Sequence, residues 1–325
     1  MPVLSVKRAA NNSKNIQHHI YARKKSFWEK LKDQKQLAFM SLPLLIYVII
    51  FSYVPLVGWV MSFQNYSPES SMFNQEWVGF KQFHTLFADQ NFLRVLRNTI
   101  AMSLINLILG FATSIGFALL LNEIKNILVK KTIQTISYMP YFISWVIGAG
   151  IVSTSLALDG SINNLLIFLH LIKTPIQWLA IGQDFWAIFG VANVWKNVGF
   201  NAIIYLGAIA AIDPALYESA QLDGASRMQR MRHITLPGIK ATFVILLIMN
   251  VANILNAGFD LQYLLGYGTN VAYSETIDVF AVKYGINLGN FSLSTAAGMF
   301  KTVVSVILLL AANGICSKLG EEKLI

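Results

Sequence analysis

The sequence predicts an all-α protein that crosses a membrane six times. Three observations lead to this fold class: the composition, six long apolar stretches, and the placement of the Lys and Arg residues. The 325 residues are 55% hydrophobic and only 13% charged, and the mean hydropathy is +0.54. Soluble domains usually contain about 25% charged residues. A polytopic membrane protein is therefore expected.

Six stretches are long enough to span a bilayer, since a transmembrane helix needs about 20 mostly apolar residues. They are residues 37–63, 98–121, 132–158, 185–212, 241–259 and 291–316. The fourth stretch contains Lys196 and the sixth contains Lys301, and the other four carry no charge. The chain is thus predicted to have a basic segment (residues 1–36), a transmembrane domain (residues 37–316) and a tail (residues 317–325).

The positive charges predict the side of the membrane on which each loop lies. The outer loops 64–97, 159–184 and 260–290 contain five Lys and Arg residues, whereas nine precede Gln36 alone. Cytoplasmic segments carry the excess of Lys and Arg, so both termini are predicted to be cytoplasmic, beside anionic membrane lipid. We expect short interfacial helices in the long outer loops. Those loops either receive an external partner or only cap the spans.

Several function classes have no sequence signature here. Cys316 is the single cysteine, so one chain can form neither a disulfide framework nor a cysteine metal cluster. The five histidines are scattered and show no metal-ligand spacing. The sequence has no G-x-x-x-x-G-K-[ST] motif for ATP. No metal, cofactor or catalytic residue is assigned, and the absence of polar catalytic clusters from the spans argues against a membrane enzyme.

A charged segment at residues 213–238 separates the fourth and fifth spans and contains "YESAQLDGASRMQRMRHITLP". Asp213 before Pro214 predicts the start of a first helix, and Asp223 with Gly224 predicts the turn that ends it. A second helix is predicted from residue 225 to about residue 235. It would present Arg227, Arg230 and Arg232 and would stop at Leu236 and Pro237.

Three interpretations of this segment were compared. An amphipathic hairpin bound to lipid headgroups would be mostly basic, yet the segment contains Glu218 and Asp223. A DNA-binding helix-turn-helix would be tethered to a span at both ends and would not reach a groove, so no nucleic acid is expected. Mixed charge around a glycine turn favours a protein partner.

The segment resembles the EAA loop of permease subunits of ABC importers. The matching residues are Glu218-Ser219-Ala220, Asp223-Gly224-Ala225 and Ile234-Thr235-Leu236-Pro237. Ser219 replaces the first alanine of the pattern, and Met231 stands where many members have an aromatic residue. The resemblance extends over nearly the whole chain, including "NVWKNVGFNAIIYLGAIAAIDPALYE". It is strongest with permeases for sugars and complex oligosaccharides.

This resemblance implies a type I ABC importer permease that works by alternating access in the cytoplasmic membrane of a bacterium or archaeon. The implied partners are a second homologous permease, two ATP-binding cassette subunits that bind ATP and Mg, and an extracellular or periplasmic solute-binding protein. The residues implied to couple the chain to the ATPase are Glu218, Ser219, Ala220, Asp223, Gly224, Ala225, Arg227, Arg230, Leu236 and Pro237. A secondary transporter would need an ion-coupling carboxylate in a span, and no predicted span has one.

Polar residues inside spans predict the path of the substrate. Asn250, Asn253 and Asn256 recur every three residues, which predicts one helical face whose amides suit sugar hydroxyls. The alternative is hydrogen bonding between neighbouring helices. On the fourth span, Trp195 can stack on a sugar ring and Asn197 can bond to it.

The two lysines within spans raise the question of substrate charge. Lys196 lies near the middle of the membrane, where an ammonium costs roughly 2.5–3.5 kcal/mol. It should therefore face water, an acid or a ligand, unless it forms a structural pair or reaches the interface. Lys301 raises the same question. An acidic, uronate-containing oligosaccharide, such as an alginate-like one, would explain both lysines, and a neutral sugar or another solute is the alternative.

Overall fold

The structure, a computed structural model, describes residues 34–318 of the chain. Most of the predicted basic segment and most of the predicted tail lie outside these residues. The described part is mostly helical. One short β-hairpin interrupts the helices, with Gln64 opposite Trp77 and Asn65 opposite Glu76.

The helices and strands are numbered here in chain order. The α-helices are α1 (Lys35–Val48), α2 (Lys81–Ala88), α3 (Gln90–Glu123), α4 (Ile127–Tyr138), α5 (Trp145–Ser155), α6 (Ser161–Phe168), α7 (Phe185–Ala210), α8 (Pro214–Leu222), α9 (Arg227–Arg230), α10 (Leu236–Gly238), α11 (Lys240–Ala252), α12 (Asp260–Leu265), α13 (Val271–Ser274), α14 (Ile277–Val282) and α15 (Phe291–Lys318). The 3-10 segments are Val54–Phe63, Met72–Asn74, Met139–Phe142, Trp178–Ala180, Gly182–Asp184 and Gly268–Asn270, and the π-helical segments are Ile49–Tyr53, Met231–Thr235 and Lys283–Asn287. The strands are β1 (Gln64–Asn65) and β2 (Glu76–Trp77).

The contacts divide the chain into two units, residues 1–58 and 59–325. In the first unit, α1 continues into the π-helical segment that follows it. No residue of this unit whose burial is described is buried. The helix is apolar all round. Such a helix is typical of a membrane span, as the sequence predicts.

The six-span prediction agrees with the structure when bent helix pairs are counted. Three helices, Lys35–Phe63, Gln90–Glu123 and Phe291–Lys318, are long and apolar enough to span alone, and three bent pairs raise the number to six. The helix that contains the second predicted span, residues 98–121, begins before that span. The helix begins at Gln90 because the Asp89 side chain accepts a hydrogen bond from the Asn91 N–H and caps it.

The third span is broken, whereas the sequence predicted one continuous stretch from residue 132 to 158. The segment Ile127–Phe142 and the helix Trp145–Ser155 meet at a bend of 103°. Pro140 lies in the last turn before the break and has no N–H to donate. Ser144 caps the next helix, with its side chain accepting a hydrogen bond from the Ile147 N–H. The helix α5 therefore begins at a point where the sequence predicted that a single helix would continue.

The fifth span is also shorter than predicted. The helix α11 ends at Ala252 and Asn253 is its C-cap, so the chain from residue 253 to 259 is not helical. Gly258 lies in this non-helical segment and has a φ of 95°. Asparagine side chains compete with the backbone for hydrogen bonds and disfavour helix interiors. The prediction that Asn250, Asn253 and Asn256 share one helical face is therefore wrong.

The loops gather on two opposite sides. The Arg227 Nε lies 3.9 Å from the Glu123 Oε2. The C-terminal end of α3 and the segment before the fifth span therefore lie on the same side of the helices. On the other side, the Asn98 amide donates to the carbonyls of Ala272 and Glu275. Six alternating spans predict this grouping. We call the first side inner and the second side outer, and the assignment of the inner side to the cytoplasm stays a prediction.

The helices α3 and α7 pack along each other and organise the second unit. Toward the outer side, Phe185 and Phe189 of α7 pack with Met102, Ala149 and Leu261 in one buried cluster. Toward the inner side, a second buried cluster consists of Ala118, Ala202, Tyr205, Ile209 and Ile239. The stretch of α7 between these two clusters carries the polar residues of the candidate site.

Candidate functional site

The charged hairpin, residues 213–238, has the predicted first helix and turn. Asp213 caps α8, with its side chain accepting a hydrogen bond of 2.9 Å from the Ala215 N–H, and Pro214 is the first helical residue. Gly224 has a φ of 75°, a left-handed conformation that residues other than glycine adopt at a cost. The predicted helix start and glycine turn are both confirmed.

The second helix of the charged hairpin differs from the prediction at both ends. It begins after Ser226, which forms a capping box with Gln229, and it continues through a π-helical segment into α10, which ends at Gly238. The predicted stop at Leu236 and Pro237 is therefore wrong. Pro237 lies in the first turn of α10, where a proline is tolerated, and the widened π turn directly precedes it.

The residues matched to the EAA pattern are mostly accessible. Glu218, Ser219, Asp223, Gly224, Arg227, Leu236 and Pro237 are exposed, and Ala220, Ala225 and Arg230 are half-buried. Two apolar side chains that the sequence analysis did not select, Leu222 and Met228, are 90% and 69% exposed. The charged hairpin thus presents both charged and apolar side chains at its surface.

A polar groove lies between α3, α7 and α11 within the spans. Two adjoining cavities of about 140 and 230 Å³ share Asn106, Gly110, Ser114 and Asn201. The other residues that line them are Leu107, Phe111, Thr113, Asn193, Val194, Asn197, Val198, Ile204, Tyr205, Leu246 and Asn250. None of these lining residues is charged. The Ser114 hydroxyl is buried and has no hydrogen-bond partner in the described structure.

The asparagines of α7 form one face of this groove. Asn193, Asn197 and Asn201 are spaced by four residues and lie on the same side of the helix. The Asn193 amide donates to the Phe189 carbonyl, and the Asn197 amide donates to the Asn193 carbonyl. The sequence analysis selected only Asn197. The four-residue spacing of the three asparagines was the signal that would have identified the other two.

The predicted asparagines of the fifth span have different surroundings. Asn250 lines the groove, and its amide donates to the Leu246 carbonyl at 2.8 Å. Asn253 is exposed and donates to the Met249 carbonyl, also at 2.8 Å. Asn256 accepts a hydrogen bond of 3.3 Å from Lys301. The structure thus brings Asn250 together with Asn197 around the groove, and neither Asn253 nor Asn256 lines it.

Trp195 faces a different cavity. It lines an apolar cavity of about 580 Å³ together with Ile188, Val191 and residues of α5. Two residues along a helix correspond to about 200° of rotation, so Trp195 and Asn197 point to opposite sides of α7. Trp195 therefore does not take part in the groove that Asn197 lines.

Lys196 is buried, with only 7% of its surface exposed. Its ammonium donates to the carbonyls of Pro140 at 3.1 Å, of Tyr141 at 3.0 Å and of Ile143. It also lies 5.2 Å from the centre of the Trp145 ring. The expectation that Lys196 faces water, an acid or a ligand is therefore wrong, because backbone carbonyls take up all three donors of the ammonium.

Lys301 has an acidic partner from its own chain. Its ammonium lies 2.5 Å from a carboxylate oxygen of Asp278, which is on α14. The sequence does not indicate this pair, because residue 278 belongs to a predicted outer loop and not to a span. The charge of Lys301 thus has a partner without any substrate.

Comparison with known proteins identifies the class to which this fold and these sites belong. The family described as "Binding-protein-dependent transport system inner membrane component" matches residues 108–317. The chain belongs to this family, and it is therefore a multi-pass permease subunit of the inner membrane. The predicted resemblance to ABC importer permeases is confirmed.

The chain is also similar to individual transport proteins of this class. The chain is 42% identical to the polygalacturonan/rhamnogalacturonan transport system permease protein YteP of Bacillus subtilis, over 90% of this chain and 91% of that protein. It is 38% identical to protein LplB of Bacillus subtilis, over 92% and 94% of the two chains. A crystal structure of a bacterial ABC transporter that imports the acidic polysaccharide alginate contains a chain 37% identical to this one. The TM-score is 0.83, over 90% of this chain and 99% of that chain.

Proposed function

We propose that this chain is the permease subunit through which an ABC importer moves an acidic, uronate-containing oligosaccharide. The observation that carries the proposal is the amide-lined groove within the spans of a chain from this family. The substrate class is supported by two relatives, one of which transports polygalacturonan or rhamnogalacturonan and one of which imports alginate. In this proposal the spans alternate between states open to the two sides of the membrane.

The energy would come from partner subunits. The charged hairpin offers Glu218, Asp223 and Arg227 in exposed positions, together with the exposed apolar Leu222 and Met228. In the proposal, two ATP-binding cassette subunits bind ATP and Mg, and one of them receives this hairpin. A second homologous permease completes the pathway. Both termini are cytoplasmic, in the orientation that the positive charges predict.

A solute-binding protein would deliver the sugar to the outer side. The alginate transporter that resembles this chain was also crystallised with a periplasmic protein holding an alginate pentasaccharide. The chain aligned there is 36% identical to this one, with a TM-score of 0.84. The outer segments of this chain include the short helices α2, α6 and α12, and such a partner would bind on this side.

The sugar would be held by amides and hydroxyls. Asn197, Asn201 and Asn250 offer N–H donors and carbonyl acceptors, and Ser114 adds a buried hydroxyl that has no partner within the described residues. Each neutral hydrogen bond contributes on the order of 1 kcal/mol. An amide N–H donates to a sugar hydroxyl and to a uronate carboxylate alike, so this groove accepts both. Asn253 and Asn256 lie outside the groove, and we propose no contact between them and the sugar.

A neutral oligosaccharide is the second candidate, because no charged side chain lines the groove. Lys196 and Lys301, the two residues predicted to read a carboxylate, are occupied by backbone carbonyls and by Asp278. If an acidic substrate is selected, its charge is then read by another subunit, such as the binding protein.

The experiment that tests the substrate class is uptake by proteoliposomes that contain the whole transporter and its binding protein. The panel pairs uronate oligosaccharides with their carboxyl-reduced, neutral counterparts of the same length. Faster uptake of the uronate members supports the proposal. Faster uptake of the neutral members favours the second candidate, and uptake of neither class contradicts oligosaccharide import.

A further inference from the structure

The break in the third span is held by α7 through contacts that the sugar pathway does not use. The carbonyls bound by Lys196 belong to Pro140, Tyr141 and Ile143. They lie at the C-terminal end of α4 and its 3-10 turn, where a helix leaves carbonyls without partners and where its dipole favours a cation. The Lys196 ammonium therefore donates to three carbonyls at the break inside the membrane. One of them, the Pro140 carbonyl, also accepts a hydrogen bond of 3.2 Å from the Ile143 N–H.

Two more contacts fix α7 against the inner half of this broken span. The rings of Tyr141 and Phe200 stack with centres 3.8 Å apart and planes 2° from parallel. Gly199 packs against the backbone of Ser137, where an added Cβ would come within 2.5 Å of the Ser137 carbonyl carbon. Gly199 and Phe200 follow Lys196 on α7 by about one turn. The ammonium, the ring stack and the close backbone contact thus all hold α7 against the same part of the broken third span.

We propose that Lys196 is a positioning residue for transport. It fixes the rotation of α7 relative to the broken span, and with it the direction of Asn193, Asn197 and Asn201 into the groove. The adjacent residue Asn197 lines the groove, so a small rotation of α7 would turn its amide away. Lys196 has no donor left for a substrate carboxylate, so it acts on acidic and neutral sugars equally. The transport part of this inference rests on the proposed function, and the helix-position part does not.

The test combines thiol labelling with transport in the whole reconstituted transporter. Val198 lines the groove and is half-buried, so Val198→Cys, in a Cys316→Ser background, reports the rotation of α7 through its rate of reaction with a maleimide. The variants are Lys196→Met, Lys196→Arg and Gly199→Ala. Lys173→Met, which removes an exposed lysine from an outer loop, is the matched control.

We expect Lys196→Met and Gly199→Ala to change the labelling rate several-fold. Both variants should also lower uptake of uronate and neutral oligosaccharides alike. For Lys196→Met the loss should be at least roughly tenfold, which is the effect of losing one hydrogen bond to a charged group. Lys196→Arg should retain most of the labelling rate, and Lys173→Met should match the unsubstituted chain. An unchanged labelling rate in Lys196→Met, or selective loss of the uronate sugar, would overturn the proposal.

Gly199→Ala keeps the test decisive if Lys196→Met does not reach the membrane. It retains the ammonium and disturbs only the approach of α7 to Ser137. Normal labelling and normal uptake in Gly199→Ala would then overturn the proposal. If even the unsubstituted transporter moves no sugar, the proposed function fails, while the labelling rates still decide whether Lys196 sets the position of α7.

Discussion

Tyr217 and Thr235 face each other across the charged hairpin, and their hydroxyl oxygens lie 2.9 Å apart. Tyr217 is on α8 and is half-buried, whereas Thr235 ends the π-helical segment and is almost completely buried. The bond therefore ties the first helix of the hairpin to the segment that leads into the fifth span. A displacement of the hairpin by an ATPase subunit would reach the span through this connection.

Removing this bond should weaken coupling. Tyr217→Phe keeps the ring and deletes the hydroxyl, which costs about 1 kcal/mol for a typical hydrogen bond. We expect the stimulation of ATP hydrolysis by sugar-loaded binding protein to fall several-fold in the reconstituted transporter. Tyr263→Phe, the same change at an exposed outer position, is the control. Equal stimulation in both variants would show that the bond has no role in coupling.

The turn of the hairpin should tolerate only small changes. Gly224→Val forces a β-branched residue into a left-handed conformation, which costs roughly 1–2 kcal/mol, and Glu218→Lys reverses an exposed charge. We expect both variants to insert into the membrane normally and to lose sugar uptake while ATP hydrolysis continues. Membrane yield, hydrolysis and uptake are measured on the same preparation. Unimpaired uptake in both variants would contradict the docking role of this surface.

Single substitutions in the groove should reduce transport without abolishing it. Asn197→Ala and Asn201→Ala each remove amide contacts that contribute on the order of 1 kcal/mol per hydrogen bond, so uptake at low sugar concentration should fall several-fold. Asn253→Ala is the matched comparison, because Asn253 lies outside the groove. A loss in Asn253→Ala as large as that in the two groove variants would place the sugar path elsewhere.

The pair formed by Lys301 and Asp278 should contribute to stability as a unit. Both side chains are mostly buried, with 18% and 27% of their surface exposed. Lys301→Met or Asp278→Asn alone should cost roughly 1.5–3 kcal/mol, the range for hydrogen bonds to charged groups. The double variant should cost less than the sum of the two. Thermal unfolding of the purified transporter measures this coupling, and strictly additive losses would contradict the pairing.

The sequence predicted the features that depend on composition and local chemistry. The length of an apolar stretch predicts a span without any knowledge of how the helices pack. Asp213, Pro214 and Gly224 favour particular backbone conformations by their own local chemistry. The breaks after Phe142 and Ala252 were missed because both stretches remain uncharged through the break. Hydropathy gives the length of an apolar stretch. It does not show where the backbone hydrogen bonds of a helix are interrupted within that stretch.

The environment of each polar residue was harder to predict than its presence. Lys196 was selected because a lysine in a span needs a partner, and the partner is the backbone of another helix, 53 to 56 residues away in sequence. Asp278 was not considered as a partner of Lys301 because it lies in a predicted loop. Such long-range pairings depend on how the helices pack, which periodicity within one helix does not encode.

The central claim is that this chain carries an oligosaccharide across the membrane with energy supplied by ATP on partner subunits. The most direct measurement is uptake of a labelled uronate oligosaccharide by proteoliposomes that contain the complete transporter and the binding protein. ATP is enclosed inside, and the proton and sodium gradients are collapsed with ionophores. We predict uptake that requires ATP and persists without either gradient. Uptake that continues without ATP and stops when a gradient is collapsed would contradict it.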